Sequence, residues 1–497
     1  MKILTGKQIR EADRYTIEHE PVGSQELMER ASEVIAQWIC NHIGQETPLF
    51  FFIGKGNNGG DGLAVARMLY HAGYSCYVYL IYGKELLSAE CRFNLERLPE
   101  GVCRQEGGIV QELDIPGDAV VIDAILGTGV TGPLKDPVLS VVEMINFLPN
   151  RVVSIDLPSG LGTEFGNDGR LTVMAETTLT LEFPKLAMLM PEAGEACGRI
   201  EVLAIDLDAR YMDAAPSPYY YVTEEVVRAQ LLSRPKFGHK GTFGHVLLVC
   251  GSEGMMGAGI LAAAAALRSG CGLVTLHLPI AERMAVQVSS PSALLSLDPG
   301  TCFSVLPRDL TRYASIGIGC GMGQAEETVA AFETLLRTYS RPVVLDADAL
   351  NILASNPRLR EYVPEESILT PHPGELRRLV GEWDDEEQKL ELVKKLAADL
   401  RSVVVVKGAH SMICSPEGVC WFNSSGCAGL AKGGSGDVLA GLLAGLLARG
   451  YDSMAAAVVG VYIHGLAGEK CAAYYGEESM NSGDLPDFLA EAFMDIR

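Results

Sequence analysis

With 497 residues and 48% hydrophobic side chains, the chain is too long for one compact core and too apolar for disorder, so about two or three globular domains are expected. A formal net charge of −23 repels phosphate backbones and anionic lipid, which excludes nucleic-acid and membrane-surface roles while leaving room for small anions in local glycine-rich loops. The 13 cysteines include no C-x-x-C pair, and neither Cys nor His shows ligand spacing; they read as reduced thiols of a cytoplasmic protein, not as a disulfide framework or a zinc site.

The first residues are charged and amphipathic and lack the apolar core of a signal peptide. Short apolar runs at 48–54, 76–82, 119–123, 152–156 and 177–182 predict buried strands. Helices are predicted between them, including 62–72 and 137–147. Such alternation predicts a largely parallel sheet covered on both faces. Residues 213–218, Asp-Ala-Ala-Pro-Ser-Pro, read as a linker that divides the chain into domains 1–214 and 215–497. The pattern then restarts, with strands predicted at 245–250, 271–278, 315–319, 342–346, 367–370 and 402–407. Helices are predicted at 325–338 and 385–400, with three more after Asp437. The fold class is therefore α/β, with two three-layer α/β/α domains. The uncharged stretches are too short and too rich in glycine and alanine to span a bilayer.

In the first domain, Gly54-Lys55-Gly56-Asn57-Asn58-Gly59-Gly60-Asp61-Gly62 follows a predicted strand and opens a helix. Such a backbone can wrap a phosphate, although a tight strand-to-helix turn is the plainer alternative. Asp123, before Gly127-Thr128-Gly129, and Asp156, before Pro158-Ser159-Gly160, close predicted strands on the same rim of a parallel sheet. Together with Asn58 they offer oxygens to a hard cation, or an acid/base group to a bound ligand. These motifs resemble the NAD(P)H-hydrate epimerase domain over most of residues 1–214. The resemblance implies a Rossmann-like fold, with Asn58, Asp123 and Ser159 holding potassium. It implies substrate contacts from Asn57, Asn58, Gly59, Gly60 and Asp61, and from Gly127, Thr128, Gly129, Val130, Thr131, Gly132 and Pro133. Asp156 is the implied acid/base for inversion at C6. Lys55 stands where the family usually has proline or a small residue.

In the second domain, Ala431-Lys432-Gly433-Gly434-Ser435-Gly436-Asp437 precedes an apolar, helix-like run. Outward N–H groups at a helix start make an anion cradle, and Asp437 beside it could accept a proton. A glycine turn with Asp437 as N-cap is the alternative. Further motifs are His239-Lys240-Gly241, Gly251-Ser252 with Gly257-Ala258, Gly319-x-Gly321-x-Gly323, Asp346-Ala347-Asp348, Thr370-Pro371-His372-Pro373-Gly374-Glu375 and Lys407-Gly408-Ala409. Alone, His372 reads as a structural histidine in a stiff loop, Lys407 as a lysine that snorkels, and Asp346 and Asp348 as structural or magnesium-linked. Taken in order, the motifs resemble the ribokinase-like NAD(P)H-hydrate dehydratase from about residue 225 onward. The resemblance implies that Ala258, Gly321, His372 and Asp437 bind the hydrate, and that Lys407, Gly408, Ala409, His410, Ser411 and Gly436 bind the nucleotide. Cys427-Ala428-Gly429-Leu430-Ala431 replaces the family's usual Asn-Pro-Gly-Met-Ala, which removes a side-chain amide from the nucleotide.

The implied activity is two-step repair of NADHX and NADPHX. One domain interconverts the R and S epimers and the other dehydrates the S form. The fused architecture resembles bacterial members, which implies ADP as cosubstrate with Mg2+, and AMP and phosphate as products. A homo-oligomer is expected. A small-molecule kinase releasing a stable phosphorylated product is the first rival, and a first domain that merely binds is the second.

Overall fold

The computed structural model describes residues 1–107, 113–129, 132–167 and 169–497. The chain separates into two compact units, one of Lys2–Ser217 with Asp385–Glu387, the other of Met1, Pro218–Asp384 and Gln388–Arg497. The stretch read as a linker begins inside the helix Ala209–Ala214, and the division falls after Ser217.

The first unit carries strands β1 (Leu49–Ile53), β2 (Cys76–Leu80), β3 (Cys103–Glu106), β4 (Val120–Ala124), β5 (Arg151–Ile155), β6 (Thr177–Leu181) and β7 (Arg199–Leu203). They form one parallel sheet in the order β3-β2-β1-β4-β5-β6-β7. Side chains alternate across a strand, so neighbours on β1 serve opposite faces. Phe51 joins Ile35, Leu63 and Ile122, whereas Phe52 joins Val121, Val138 and Val142. The helices Ser24–His42 and Asn57–His71 therefore cover one face and Val138–Phe147 the other, giving three layers. The order reverses between β1 and β4. Such a reversal, beyond the carboxyl ends of the strands, is the usual ligand site of sheets of this kind.

Two strands lacked an apolar run in the sequence. Every residue of β3 is exposed, and β7 carries Arg199 and Glu201; both lie at sheet edges, where charge is tolerated and guards against further pairing. A second difference concerns the first glycine-rich motif. The helix begins at Asn57, five residues before Gly62, so Asn57 to Asp61 form its first turn and not a loop. Glycine permits this close start: a Cβ on Gly59 would lie 2.1 Å from the Gly54 carbonyl oxygen, and one on Gly54 would lie 1.8 Å from that of Ile125.

The second unit carries β8 (Tyr219–Tyr221), β9 (His245–Val249), β10 (Leu273–Pro279), β11 (Leu294–Asp298), β12 (Ser315–Ile318), β13 (Val343–Leu345), β14 (Ile368–Leu369), β15 (Val403–Val406), β16 (Met412–Cys414) and β17 (Cys420–Phe422). The sheet order is β11-β10-β9-β12-β13-β14-β15-β16-β17-β8. It is parallel from β11 to β15, after which β16 and β17 form an antiparallel hairpin. The three-residue strands β8, β16 and β17 are too short to leave a periodic signal. Three helices end the chain, Ser435–Arg449, Ser453–Tyr475 and Leu485–Ile496. The first packs tightly on Met256–Arg268; a Cβ on Gly441 would lie 2.1 Å from the Ala262 carbonyl oxygen. Among the described residues no helix is long and apolar enough to cross a membrane. All 13 cysteines are free thiols.

Candidate active sites

In the first unit, the polar residues predicted from strand ends lie at the carboxyl ends of β1, β4 and β5. Asn58, in the first turn of its helix, donates to the Ile155 carbonyl at 2.8 Å. Its Oδ1 is buried with no hydrogen-bond partner. Gly127 lies over it, with a Cβ position 3.4 Å from the Asn58 side chain. Asp123, at the end of β4, is fully buried and accepts from Ser159 Oγ at 2.6 Å, Ser159 N at 2.8 Å, Ser154 Oγ at 2.9 Å and Ile125 N at 3.2 Å. Burial pushes this carboxyl above its ordinary value, and the hydrogen bonds only partly oppose it. Ser159 Oγ also receives Leu126 N at 2.8 Å, which ties the β4 and β5 loops together.

Asp156 follows β5 with φ +66, in the left-handed region, and its Oδ1 accepts from Leu181 N at 3.2 Å. The same oxygen is ion-paired with Lys185, whose ammonium is almost wholly buried and also donates to Thr180 Oγ1 at 2.8 Å. Lys185 drew no notice in the sequence, although Glu182-Phe183-Pro184-Lys185 leaves a strand on this rim. Thr128 accepts through its carbonyl from Arg10 at 3.3 Å. Gly129, Gly132 and Pro133 belong to the same β4 loop, while Val130 and Thr131 lie outside the described residues.

In the second unit, the ends of β12, β13 and β15 bring Cys320, Asp346 and Lys407 to the start of the helix Ser435–Arg449. Gly434 is its N-cap with φ +93, where a Cβ would meet Leu261 Cδ1 at 2.6 Å. Asp437 is therefore the third helical residue, not the N-cap. A Cβ on Gly436 would lie 3.4 Å from Lys407 Nζ and 3.5 Å from Asp346 Oδ2, which places the glycine loop directly against both. Lys407 does not snorkel. Its ammonium donates to Asp346 Oδ1 at 2.8 Å and lies 3.7 Å from Glu375 Oε2. Burial would lower its pKa, but Asp346 and Glu375 outweigh burial and raise it. Asp346 also accepts from Thr370 Oγ1 at 2.8 Å, whereas Asp348 accepts from Gly323 N at 2.9 Å and holds that loop.

Gly321, with φ +61, meets Ala258; a Cβ on Gly321 would lie 3.0 Å from the Ala258 Cβ. His372 caps the helix Pro373–Val380, accepting at Nδ1 from Gly374 N at 3.0 Å. Its Nε2 then carries the proton and lies 3.5 Å from Glu375 Oε1. Beyond Lys407, Gly408 and Ala409 are exposed, and Ser411 Oγ donates to the Gly408 carbonyl at 3.1 Å. His410 turns toward the hairpin instead, with Nδ1 2.9 Å from the Asn423 carbonyl.

The comparisons with known proteins follow this division. A family profile described as NAD(P)H-hydrate dehydratase matches residues 246–490, and one described as YjeF-related protein N-terminus matches residues 24–187. The bifunctional NAD(P)H-hydrate repair enzyme of Moorella thermoacetica is 35% identical, the alignment covering 98% of this chain and 96% of that one. That of Thermofilum pendens is 33% identical over 100% of this chain and 97% of its own. The chain belongs to the bifunctional NAD(P)H-hydrate repair enzyme family. Among solved structures, an ADP/ATP-dependent NAD(P)H-hydrate dehydratase from Bacillus subtilis, co-crystallised with ATP/Mg2+, is 32% identical with a TM-score of 0.49, covering 56% of this chain and 99% of that one. A ribokinase-like superfamily protein from Enterococcus faecalis gives a TM-score of 0.51 at 24% identity, covering 57% of this chain and 98% of its own, and shows the same fold for the second unit.

In this repair-enzyme chain, the dehydratase half contains two residues that sequence spacing could not reveal. Cys320 lies beneath Asp437; its thiol is 3.8 Å from Asp346 Oδ2, and donor atoms of Cys320, Asp346 and Asp437 all lie within 4.8 Å of one another. Burial, then the neighbouring Asp346, pushes the Asp437 carboxyl up to about 6, although Cys320 and Lys407 pull it down. The second is His464, which is buried under the helix start with Nε2 3.0 Å from the Ser435 carbonyl. Burial lowers its pKa to about 4, so the ring is neutral and acts as a donor to that carbonyl.

Proposed function

We propose that the chain repairs hydrated nicotinamide nucleotides at two separate sites. The first unit interconverts (R)- and (S)-NADHX and NADPHX, and the second dehydrates the S form with ADP. The observation that carries the second reaction is Asp437, a carboxyl near the neutral range beside a glycine-rich helix start that meets Lys407.

The C6 hydroxyl of the hydrate is a poor leaving group. Asp437 takes its proton, and the oxygen attacks the terminal phosphate of ADP. N–H groups around Gly434 to Gly436, with the positive end of the helix dipole, hold the transferring phosphoryl group. Lys407 adds a point charge for the nucleotide phosphates. AMP departs; the phosphorylated carbon then expels phosphate, pushed by the ring nitrogen lone pair, with loss of a proton from C5. Ala258, Gly321 and His372 position the hydrate, and Gly408, Ala409 and Ser411 the nucleotide, with His410 shaping that loop from within. The Asp346 carboxylate is already engaged by Lys407 and Thr370, so magnesium fits as an ion carried by the phosphates, where it neutralises developing charge, more than as one in a protein cage.

In the first unit Asp156 is the acid/base, and Asn57 to Asp61 with the β4 loop take the substrate. The unpaired buried Oδ1 of Asn58 beside Asp123 and Ser159 suits potassium, which those three residues would hold. Bound there, the ion would supply fixed positive charge beside the substrate. The same reading expects a cytoplasmic homo-oligomer, which light scattering on the purified protein tests.

Mixed NADHX epimers incubated with ADP or ATP, with NADH absorbance followed, test the whole reading. Complete recovery with one nucleotide establishes both activities and the donor. Recovery of only the S fraction, beyond spontaneous epimerisation, removes the first activity. A stable phosphorylated product would favour a kinase.

A further inference from the structure

Three side chains far apart in the sequence meet at the start of the helix Ser435–Arg449. Cys320 follows β12, Asp346 follows β13, and Asp437 is the third residue of the helix. The Cys320 thiol is 3.8 Å from Asp346 Oδ2, and one donor atom from each of the three lies within 4.8 Å of the others. Among the described residues no other group of three His, Cys, Asp or Glu gathers its donor atoms so closely. The buried thiols of Cys91, Cys197, Cys250 and Cys414 point at backbone carbonyls. That of Cys320, only 1% exposed, points at a carboxylate instead. Lys407 does not fill the space between the three. Its ammonium is held by Asp346 Oδ1 and faces Glu375, which leaves Oδ2 to the thiol. Asp437 has no ion-pair partner among the described residues.

We propose that Cys320, Asp346 and Asp437 form a binding site for Zn2+, or a divalent cation of like softness, whose occupancy blocks dehydration. Spacing along the chain gave no such signal because each donor comes from a different element. A thiolate selects a borderline-soft ion over Mg2+, which takes oxygen ligands and keeps its waters. Zinc bonds of about 2.3 Å to sulfur and about 2.0–2.2 Å to oxygen, arranged as a tetrahedron, set donors about 3.5 Å apart. Cys320 and Asp346 are close to that spacing, and the widest separation exceeds it by little more than about 1 Å, within reach of side-chain rotation. Asp437 is only partly buried, so an ion can approach past it, and water takes the fourth position. On binding, the thiol proton passes to solvent and the sulfur–metal bond forms, so affinity rises with pH. An ion held there occupies the Asp437 carboxylate, which then takes no proton from the C6 hydroxyl. The site stands on geometry; its effect on turnover rests on the reading of Asp437 as the base.

Binding is read on the full chain without nucleotide. Co2+ titrated in the presence of a phosphine reductant should give the near-ultraviolet charge-transfer absorption of a thiolate–cobalt bond, and Zn2+ should displace it. Cys320→Ala should remove that absorption. Asp437→Asn should weaken binding at least about tenfold, the least that even a residue behind a ligand costs. In parallel, dehydration of purified (S)-NADHX with ADP and excess Mg2+ is followed while a chelating buffer fixes free Zn2+, each chain being compared with its own zinc-free rate. Saturating Zn2+ should lower the wild-type rate by about 10²-fold and leave R-to-S conversion unchanged, and Cys320→Ala should resist the inhibition. No cobalt band in the wild type, or one of undiminished strength in Cys320→Ala, overturns the site. Should Cys320→Ala not fold, unweakened binding by Asp437→Asn overturns it equally. A band lost in Cys320→Ala while wild-type dehydration is indifferent to Zn2+ overturns the inhibition. A wild-type chain inert on (S)-NADHX without zinc refutes the dehydratase reading, and the cobalt band then decides the site by itself.

Discussion

Replacing Asp437 with Asn keeps shape and volume but removes the proposed base, and the structure fixes two consequences of opposite sign. Burial and Asp346 lift the folded carboxyl from an ordinary 3.8 to about 6. A carboxyl raised on folding holds its proton more tightly in the native state. Its contribution is complete below the unfolded value and is lost as pH rises through the folded one. Between 3.8 and about 6, at about 1.4 kcal/mol per pH unit, this loss is about 3 kcal/mol. Because Asp437 is only partly buried, we expect about 1–2 kcal/mol to survive screening. Asp437→Asn should therefore be more stable than wild type at pH 8 and equally stable at pH 3.5. Dehydration should fall by ~10²–10⁴-fold, with epimerisation untouched. Denaturant melts at both pH values and NADH recovery from (S)-NADHX with ADP measure these effects. Near-wild-type turnover would refute the base assignment; a variant less stable at pH 8 would refute the electrostatic argument.

Lys185→Met leaves Asp156 without its buried cation, so we expect a loss of about 3–5 kcal/mol in the first unit's stability and of R-to-S conversion, read by melting and epimer analysis. Gly434→Ala combines φ +93 with a 2.6 Å clash on Leu261, and should cost about 1–3 kcal/mol and most of the dehydratase rate; a fully active, equally stable variant would show that the helix start can relax. His464 is neutral when folded, with its pKa lowered from 6.5 to about 4, so its contribution is present above 6.5 and is lost as pH falls toward 4; His464→Gln should flatten acid destabilisation in that window by about 2 kcal/mol in urea titrations. Exchanging potassium for a large organic cation should slow epimerisation and leave dehydration unchanged, and Asn58→Leu should remove that dependence.

Much of the fold was legible because buried parallel strands read as apolar runs: the four valines of β15 and the phenylalanines of β1 announce themselves. Glycine-rich motifs at strand ends were legible because close backbone approach there requires glycine, as at Gly54, Gly59 and Gly434. The edge strands β3, β7 and β11 and the three-residue strands β8, β16 and β17 stayed hidden, because solvent permits polar side chains at an edge and short segments show no period. Helix starts were misplaced where glycine weakens the helical signal, as at Asn57 and at Ser435, two residues before Asp437.

The order of motifs along the chain was enough by itself to determine two α/β units and their family, because each strand end must present its own short segment of side chains or glycines to a ligand. Tertiary structure alone decided which charges meet. Lys407 and Asp346 lie 61 positions apart yet form one ion pair, and Cys320 and His464 reach the Asp437 helix from separate elements. Coulomb energy and burial depend on distance in space, which the spacing of residues along the chain does not record.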